Sequence, residues 1–135
     1  MPETPLSILV CEDDDGLASL VADVLTTDGR FSVVARATDG AEAVRLTAQH
    51  APDVVLMDIG LPGMDGIEAT RTILDRDPRQ HVVIYTGSNE YDDVARADAA
   101  GAAGFLHKDA LTSPDLADAL VVLHRNRESR LPDLE

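Results

Sequence analysis

The sequence predicts an α/β fold in which five strands form a parallel sheet, doubly wound with five helices. Two patterns predict it. Short β-branched apolar runs alternate with longer amphipathic stretches along the chain, and runs such as Val54-Val55-Leu56-Met57 are apolar at every position, as in strands covered by helices on both faces. Strands that alternate with helices pair in parallel through right-handed crossovers. The 135 residues suit one domain with a real core.

The first strand is expected over Ser7–Cys11. The helix after it carries Leu17, Leu20, Val21, Val24 and Leu25 on one face, with Asp15 as its N-cap. The second strand is Phe31–Ala37, and Asp39 caps the helix that follows. The third strand, Asp53–Met57, ends against Asp58. The loop Ile59-Gly60-Leu61-Pro62-Gly63-Met64-Asp65-Gly66 then leads into a helix opened by Asp65 with Glu68 three residues on, a capping-box variant. The fourth strand is His81–Thr86. The helix between Glu90 and Ala100 is rich in Ala and Asp and poor in large apolar residues, which makes it the weakest element. Gly104–His107 is the fifth strand. Ser113 followed by Pro114 starts the last helix, whose apolar face holds Leu116, Leu120 and Leu123 with Ala117 and Val121 beside them. Residues 1–128 read as one domain and 129–135 as a polar tail or the start of a linker, with fraying expected from Asn126 onward.

The charge balance narrows the function. With 25 acidic and 11 basic side chains the formal charge is −14, which opposes binding to nucleic-acid backbones and to anionic membrane surfaces. It suits protein partners and cations. Cys11 is the only cysteine, so no internal disulfide or Cys-based zinc site is available, and its apolar surroundings suggest a buried, inert thiol. No basic segment followed by an apolar stretch opens the chain, and no apolar run has the length of a membrane span, so a cytoplasmic location is expected.

In open α/β sheets ligands gather beyond the carboxyl ends of the strands. The polar residues at those ends are Glu12-Asp13-Asp14-Asp15 after the first strand, Asp58 after the third, Thr86 at the fourth and Lys108 after the fifth. Each alone has an ordinary reading: a solvated acidic turn, a strand-end aspartate, a β-favouring threonine, a surface lysine. Their joint placement at four strand ends is far less ordinary. Clustered carboxylates need an offsetting positive charge, and Mg²⁺, which takes oxygen ligands from a few carboxylates and phosphate groups, supplies one. Asp14 is read as solvated, and Tyr85 and Tyr91 as packing and surface residues. The four histidines, His50, His81, His107 and His124, form no ligand-spaced group.

The chain resembles the receiver domains of two-component response regulators from about Leu6 to Arg127. The likeness is carried by Ile8-Leu9-Val10-Cys11-Glu12-Asp13, by Val55-Leu56-Met57-Asp58 with Leu61-Pro62-Gly63-Met64-Asp65-Gly66, by Ile84-Tyr85-Thr86-Gly87, and by Gly101-Ala102-Ala103-Gly104-Phe105-Leu106-His107-Lys108. The run from Gly104 to Ala110 is most similar to the subgroup that often carries a C-terminal helix-turn-helix. The resemblance implies the flavodoxin-like strand order 2-1-3-4-5. It implies that Asp58 is the phosphoacceptor and that Glu12, Asp13, Asp58 and the Gly60 backbone carbonyl hold Mg²⁺. It implies that Lys108 pairs with Asp58 and then with the phosphoryl group, that Thr86 donates its hydroxyl to a phosphoryl oxygen, and that Phe105 is the switch aromatic. The implied partners are a sensor histidine kinase or phosphotransfer protein, with an output domain or a homodimer partner downstream.

Departures from the family pattern carry expectations of their own. Asp109 stands after Lys108 where proline is frequent, which removes the usual reason for a cis peptide. Gly87 replaces the commoner alanine, and Gly60 offers no side chain to screen water, although Ser88 lies two residues past Thr86. The site is therefore expected to be open to small phosphodonors and to hydrolysis. Three other readings compete. A pseudo-receiver would keep the fold without being phosphorylated. A Mg²⁺-dependent phosphatase of the haloacid-dehalogenase type needs a second aspartate where Gly60 stands, because that residue is its general acid. A flavodoxin-like redox module needs a flavin-cradling feature, and none stands out.

Overall fold

The computed structural model describes residues 4–87 and 91–130, without the side chains of Tyr91 and 127–130. The strands are β1 (Leu6–Cys11), β2 (Phe31–Ala37), β3 (Val54–Asp58), β4 (His81–Thr86) and β5 (Gly104–His107). The helices are α1 (Asp15–Asp28), α2 (Gly40–His50), α3 (Gly66–Arg76), α4 (Tyr91–Ala99) and α5 (Leu116–Arg130), with a 3₁₀ turn over Lys108–Thr112. All strand pairs are parallel, in the order β2-β1-β3-β4-β5. The strand order reverses between β1 and β3, so the crevice beyond their carboxyl ends is where this architecture places a ligand.

Alternation along each strand divides the core into two layers. Leu9, Cys11, Val55, Met57, Val82 and Ile84 pack beneath α2, α3 and α4. Ile8, Val10, Val54, Leu56, Val83 and Tyr85 pack with Val21, Leu25, Leu116 and Leu120 of α1 and α5. Val54 to Met57 are almost wholly removed from water, which is why that run lacks a polar alternate. Burying each such side chain contributes about 1.5–3 kcal/mol, before conformational entropy opposes it.

Several expectations are corrected at helix ends. The N-cap of α1 is Asp14, whose carboxylate accepts from Leu17 N at 2.7 Å; Asp15 is the first helical residue and pairs instead with Arg36 Nη1 at 2.7 Å. Asp14 is thus a cap as well as a solvated acid. Asp39 and Asp65 cap α2 and α3 as expected, accepting from Glu42 N and Glu68 N. Regular α5 geometry starts at Leu116, two residues beyond Pro114, although Ser113 Oγ still accepts from Asp115 N at 3.1 Å. The stretch expected to fray from Asn126 is helical as far as Arg130. Strand ends shift slightly: β1 begins at Leu6, and β3 runs from Val54 through Asp58, leaving Asp53 to accept from Ser7 N and Oγ. Leu20, expected on the buried face of α1, is more than half exposed, because that face centres on Ala18, Val21 and Leu25. The weak element is a helix, α4; Ser88 and Glu90 lie outside the described residues, as does the Tyr91 side chain.

Candidate functional site

Two close backbone approaches build the crevice. Gly66 opens α3 against the end of β3, with its N–H donating to Ile59 O at 3.1 Å; a Cβ there would lie 2.2 Å from Asp58 O. Gly40 opens α2 against the β3–α3 loop, where a Cβ would lie 1.9 Å from Met64 O. No side chain fits at either place without moving backbone. Gly63, at φ +73°, turns the loop between them.

At the carboxyl ends of β1 and β3, one oxygen each from Glu12, Asp13 and Asp58 lies within 4.8 Å of the others. Glu12 is 1% exposed, Asp58 is half-buried and Asp13 is exposed. Asp58 Oδ1 accepts from Gly60 N at 3.0 Å. Burial pushes the Asp58 pKa above the usual aspartate range; the Gly60 hydrogen bond opposes this, Glu12 reinforces it, Lys108 opposes it, and Asp13 adds to it. The carboxylates therefore form a partly desolvated cluster of like charges, a donor set that suits a hard divalent cation with oxygen ligands.

Thr86 and Lys108 lie at the carboxyl ends of β4 and β5. Thr86 is the buried last residue of β4, and Lys108 is exposed at the start of the 3₁₀ turn after β5. No direct ion pair joins Lys108 to Asp58 among the described residues: the lysine acts on Asp58 through its field, and its Cδ would lie 3.5 Å from a Cβ at Gly87. The peptide bonds described are all trans, Lys108–Asp109 included. Ile84 pairs with Phe105 and Thr86 with His107, so Thr86 and Phe105 share the face of the sheet under α4. Phe105 is half-buried and borders a cleft of about 380 Å³ with Val94, Ala97 and Asp98.

Two residues matter more than the sequence suggested. Tyr85 is 1% exposed, and its hydroxyl donates to Glu12 Oε1 at 2.5 Å and to Cys11 O at 3.3 Å. Burial and the Glu12 carboxylate push the Tyr85 phenol far above its ordinary pKa. A tyrosine inside an otherwise apolar buried strand must find a hydroxyl partner, and that was the available signal. Arg36 Nε donates to Glu12 O at 2.9 Å, tying β2 to the β1–α1 loop. His81 and His124 meet through their Nδ1 atoms, with ring centroids 4.2 Å apart. This contact is at the amino end of β4, away from the carboxylates, so the histidines hold no part of the site.

The family model of the response regulator receiver domain matches residues 8–121. The chain belongs to that family. The receiver is 32% identical over 113 residues to the chemotaxis protein CheY of Halobacterium salinarum, covering 84% of this chain and 92% of that protein. Over 86 residues it is 43% identical to protein-glutamate methylesterase/protein-glutamine glutaminase 4 of Myxococcus xanthus, covering 64% of this chain but 24% of that protein. It therefore spans only about a quarter of that longer relative. Among solved structures, the signal receiver domain of the response regulator NarL from Mycobacterium tuberculosis superposes with a TM-score of 0.82 at 32% identity, covering 90% of this chain and 98% of that one. This agrees with the likeness to the helix-turn-helix subgroup read from Gly104 to Ala110. No helix among the described residues is long and apolar enough to cross a membrane.

Proposed function

We propose that this receiver accepts a phosphoryl group on Asp58 from a histidine kinase or phosphotransfer protein in a Mg²⁺-dependent reaction, and that phosphorylation shifts it toward a signalling conformation. The observation that carries the reading is the proximity of the Glu12, Asp13 and Asp58 carboxylates at the strand-order reversal. These residues, with the Gly60 carbonyl, would hold Mg²⁺, which would offset charge on the phosphoryl oxygens during transfer.

The chain's own groups divide the remaining work. The Gly60 amide holds Asp58 Oδ1, fixing the carboxylate for attack on phosphorus. The new O–P bond forms as the bond from phosphorus to the donor's imidazole nitrogen breaks, and the electron pair leaves with the imidazole. Lys108 supplies positive charge to the phosphoryl group, and the Thr86 hydroxyl donates to one of its oxygens. Drawing Thr86 toward the phosphate vacates space on the α4 face, and Phe105 turns inward to fill it. Phosphorylation thereby biases a two-state equilibrium, replacing a carboxylate of charge about −1 by an acyl phosphate of about −1.5 to −2 that carries three acceptor oxygens.

The receiver unit comprises residues 1–128, with 129–135 as tail or linker, and it acts in the cytoplasm on an output domain or a second copy. Transfer and autodephosphorylation are self-catalysed single events. Turnover on external phosphoesters is disfavoured because Gly60 stands where a phosphatase needs its acid. Gly60 and Gly87 leave the site open to small phosphodonors.

Incubation with acetyl phosphate and Mg²⁺ tests the reading. The expected result is a hydroxylamine-labile phosphoryl label that EDTA abolishes. A protein that stays unlabelled at saturating Mg²⁺ would instead be a pseudo-receiver.

A further inference from the structure

Tyr85 is the bulkiest of the fully buried side chains. It sits in the layer beneath α1 and α5, where a phenol without a partner would be destabilising. Its partner is a candidate metal ligand. Glu12 Oε1 accepts from Tyr85 Oη at 2.5 Å, and Glu12 Oε2 accepts from Asp14 N at 2.9 Å. Each carboxylate oxygen thus spends one lone pair on a protein donor and keeps another. Glutamate has one more rotatable bond than aspartate, so a buried Glu12 without these donors would sample several orientations. Tyr85 also accepts from Ile59 N through its backbone carbonyl at 3.0 Å, which ties the same residue to the chain just after Asp58.

We propose that Tyr85 is a positioning residue: its hydroxyl orients the Glu12 carboxylate toward the cation and thereby sets the Mg²⁺ affinity of this chain. The role presupposes the Mg²⁺-dependent reading above. Partners that orient metal ligands are commonly worth about 10–100-fold in affinity. A hydroxyl that merely satisfies itself in the core would contribute to folding and leave affinity unchanged.

The test titrates Mg²⁺ into the full chain by calorimetry, comparing the parent with Tyr85→Phe, which keeps the ring and the backbone contact. Urea unfolding in EDTA is measured alongside. The expected outcome is roughly tenfold weaker Mg²⁺ binding by Tyr85→Phe, beyond any change in metal-free stability. Binding within twofold of the parent overturns the positioning role while leaving the proposed function intact. A parent that binds no Mg²⁺ overturns both. If Tyr85→Phe does not fold, the hydroxyl proton of Tyr85 in the parent decides by NMR: it is expected to shift on Mg²⁺ saturation, and an unmoved resonance overturns the role.

Discussion

Gly66 and Asp58 touch backbone to backbone, so closely that a Cβ at position 66 would stand 2.2 Å from the Asp58 carbonyl oxygen. The start of α3 is thereby the floor beneath the candidate nucleophile. Gly66→Ala is expected to destabilise the fold by about 1–3 kcal/mol, the usual cost of overpacking. It is also expected to slow acetyl-phosphate labelling, because small displacements of a reacting group are costly. Urea unfolding and labelling rates check this. Parent-like stability and labelling would show that the helix moves aside freely.

Asp58 makes stability depend on pH. Its pKa is raised, first by burial, so the folded state holds this proton more tightly than the unfolded chain does. The resulting stabilisation is full below the unfolded aspartate value, about pH 4, and is lost as pH rises through the folded pKa. At neutral pH without metal, the charge works against the fold. Asp58→Asn removes it and can keep the Gly60 hydrogen bond. Thermal melts in EDTA should show the variant above the parent at neutral pH, with the gap closing on acidification. A variant that melts below the parent at neutral pH contradicts this.

The two neighbouring aspartates at the start of α1 should behave differently. Asp14→Ala removes the cap on Leu17 N and is expected to cost about 1 kcal/mol. Asp15→Ala removes only an ion pair from an almost fully exposed carboxylate, and stability should change by less than about 0.5 kcal/mol. Equal losses in chemical denaturation would contradict the assignment of Asp14 as the cap.

Cys11 should be silent in the native state. It is fully buried, and burial first, then the Glu42 and Asp58 charges, push its thiol far above the normal range. Modification by a thiol reagent should therefore proceed only as fast as the chain opens. Prompt stoichiometric labelling of the folded protein would contradict this burial.

What the sequence made legible was whatever one strand or one helix encodes. Runs such as Val54–Met57 announce burial on both faces, and strand-end acids, threonine and lysine then follow from the topology. What it concealed depends on contacts between distant segments. In Glu12-Asp13-Asp14-Asp15 every aspartate is a plausible cap, and only the point where the helix turns selects Asp14. Nothing in the local sequence marks Gly40 or Gly66, although each is required by backbone from elsewhere, at Met64 and Asp58. Tyr85 read as packing because its partner, Glu12, is 73 residues away in sequence. No direct ion pair joins Lys108 to Asp58 among the described residues, and the lysine's charge lowers the Asp58 pKa.

The central claim is that Asp58 is the residue that takes the phosphoryl group. Intact-mass measurement after acetyl phosphate and Mg²⁺, on the parent and on Asp58→Asn side by side, tests it most directly. The parent is expected to gain the mass of one phosphoryl group, and the variant none. An unlabelled parent, or a variant that labels as fully as the parent, would contradict the assignment.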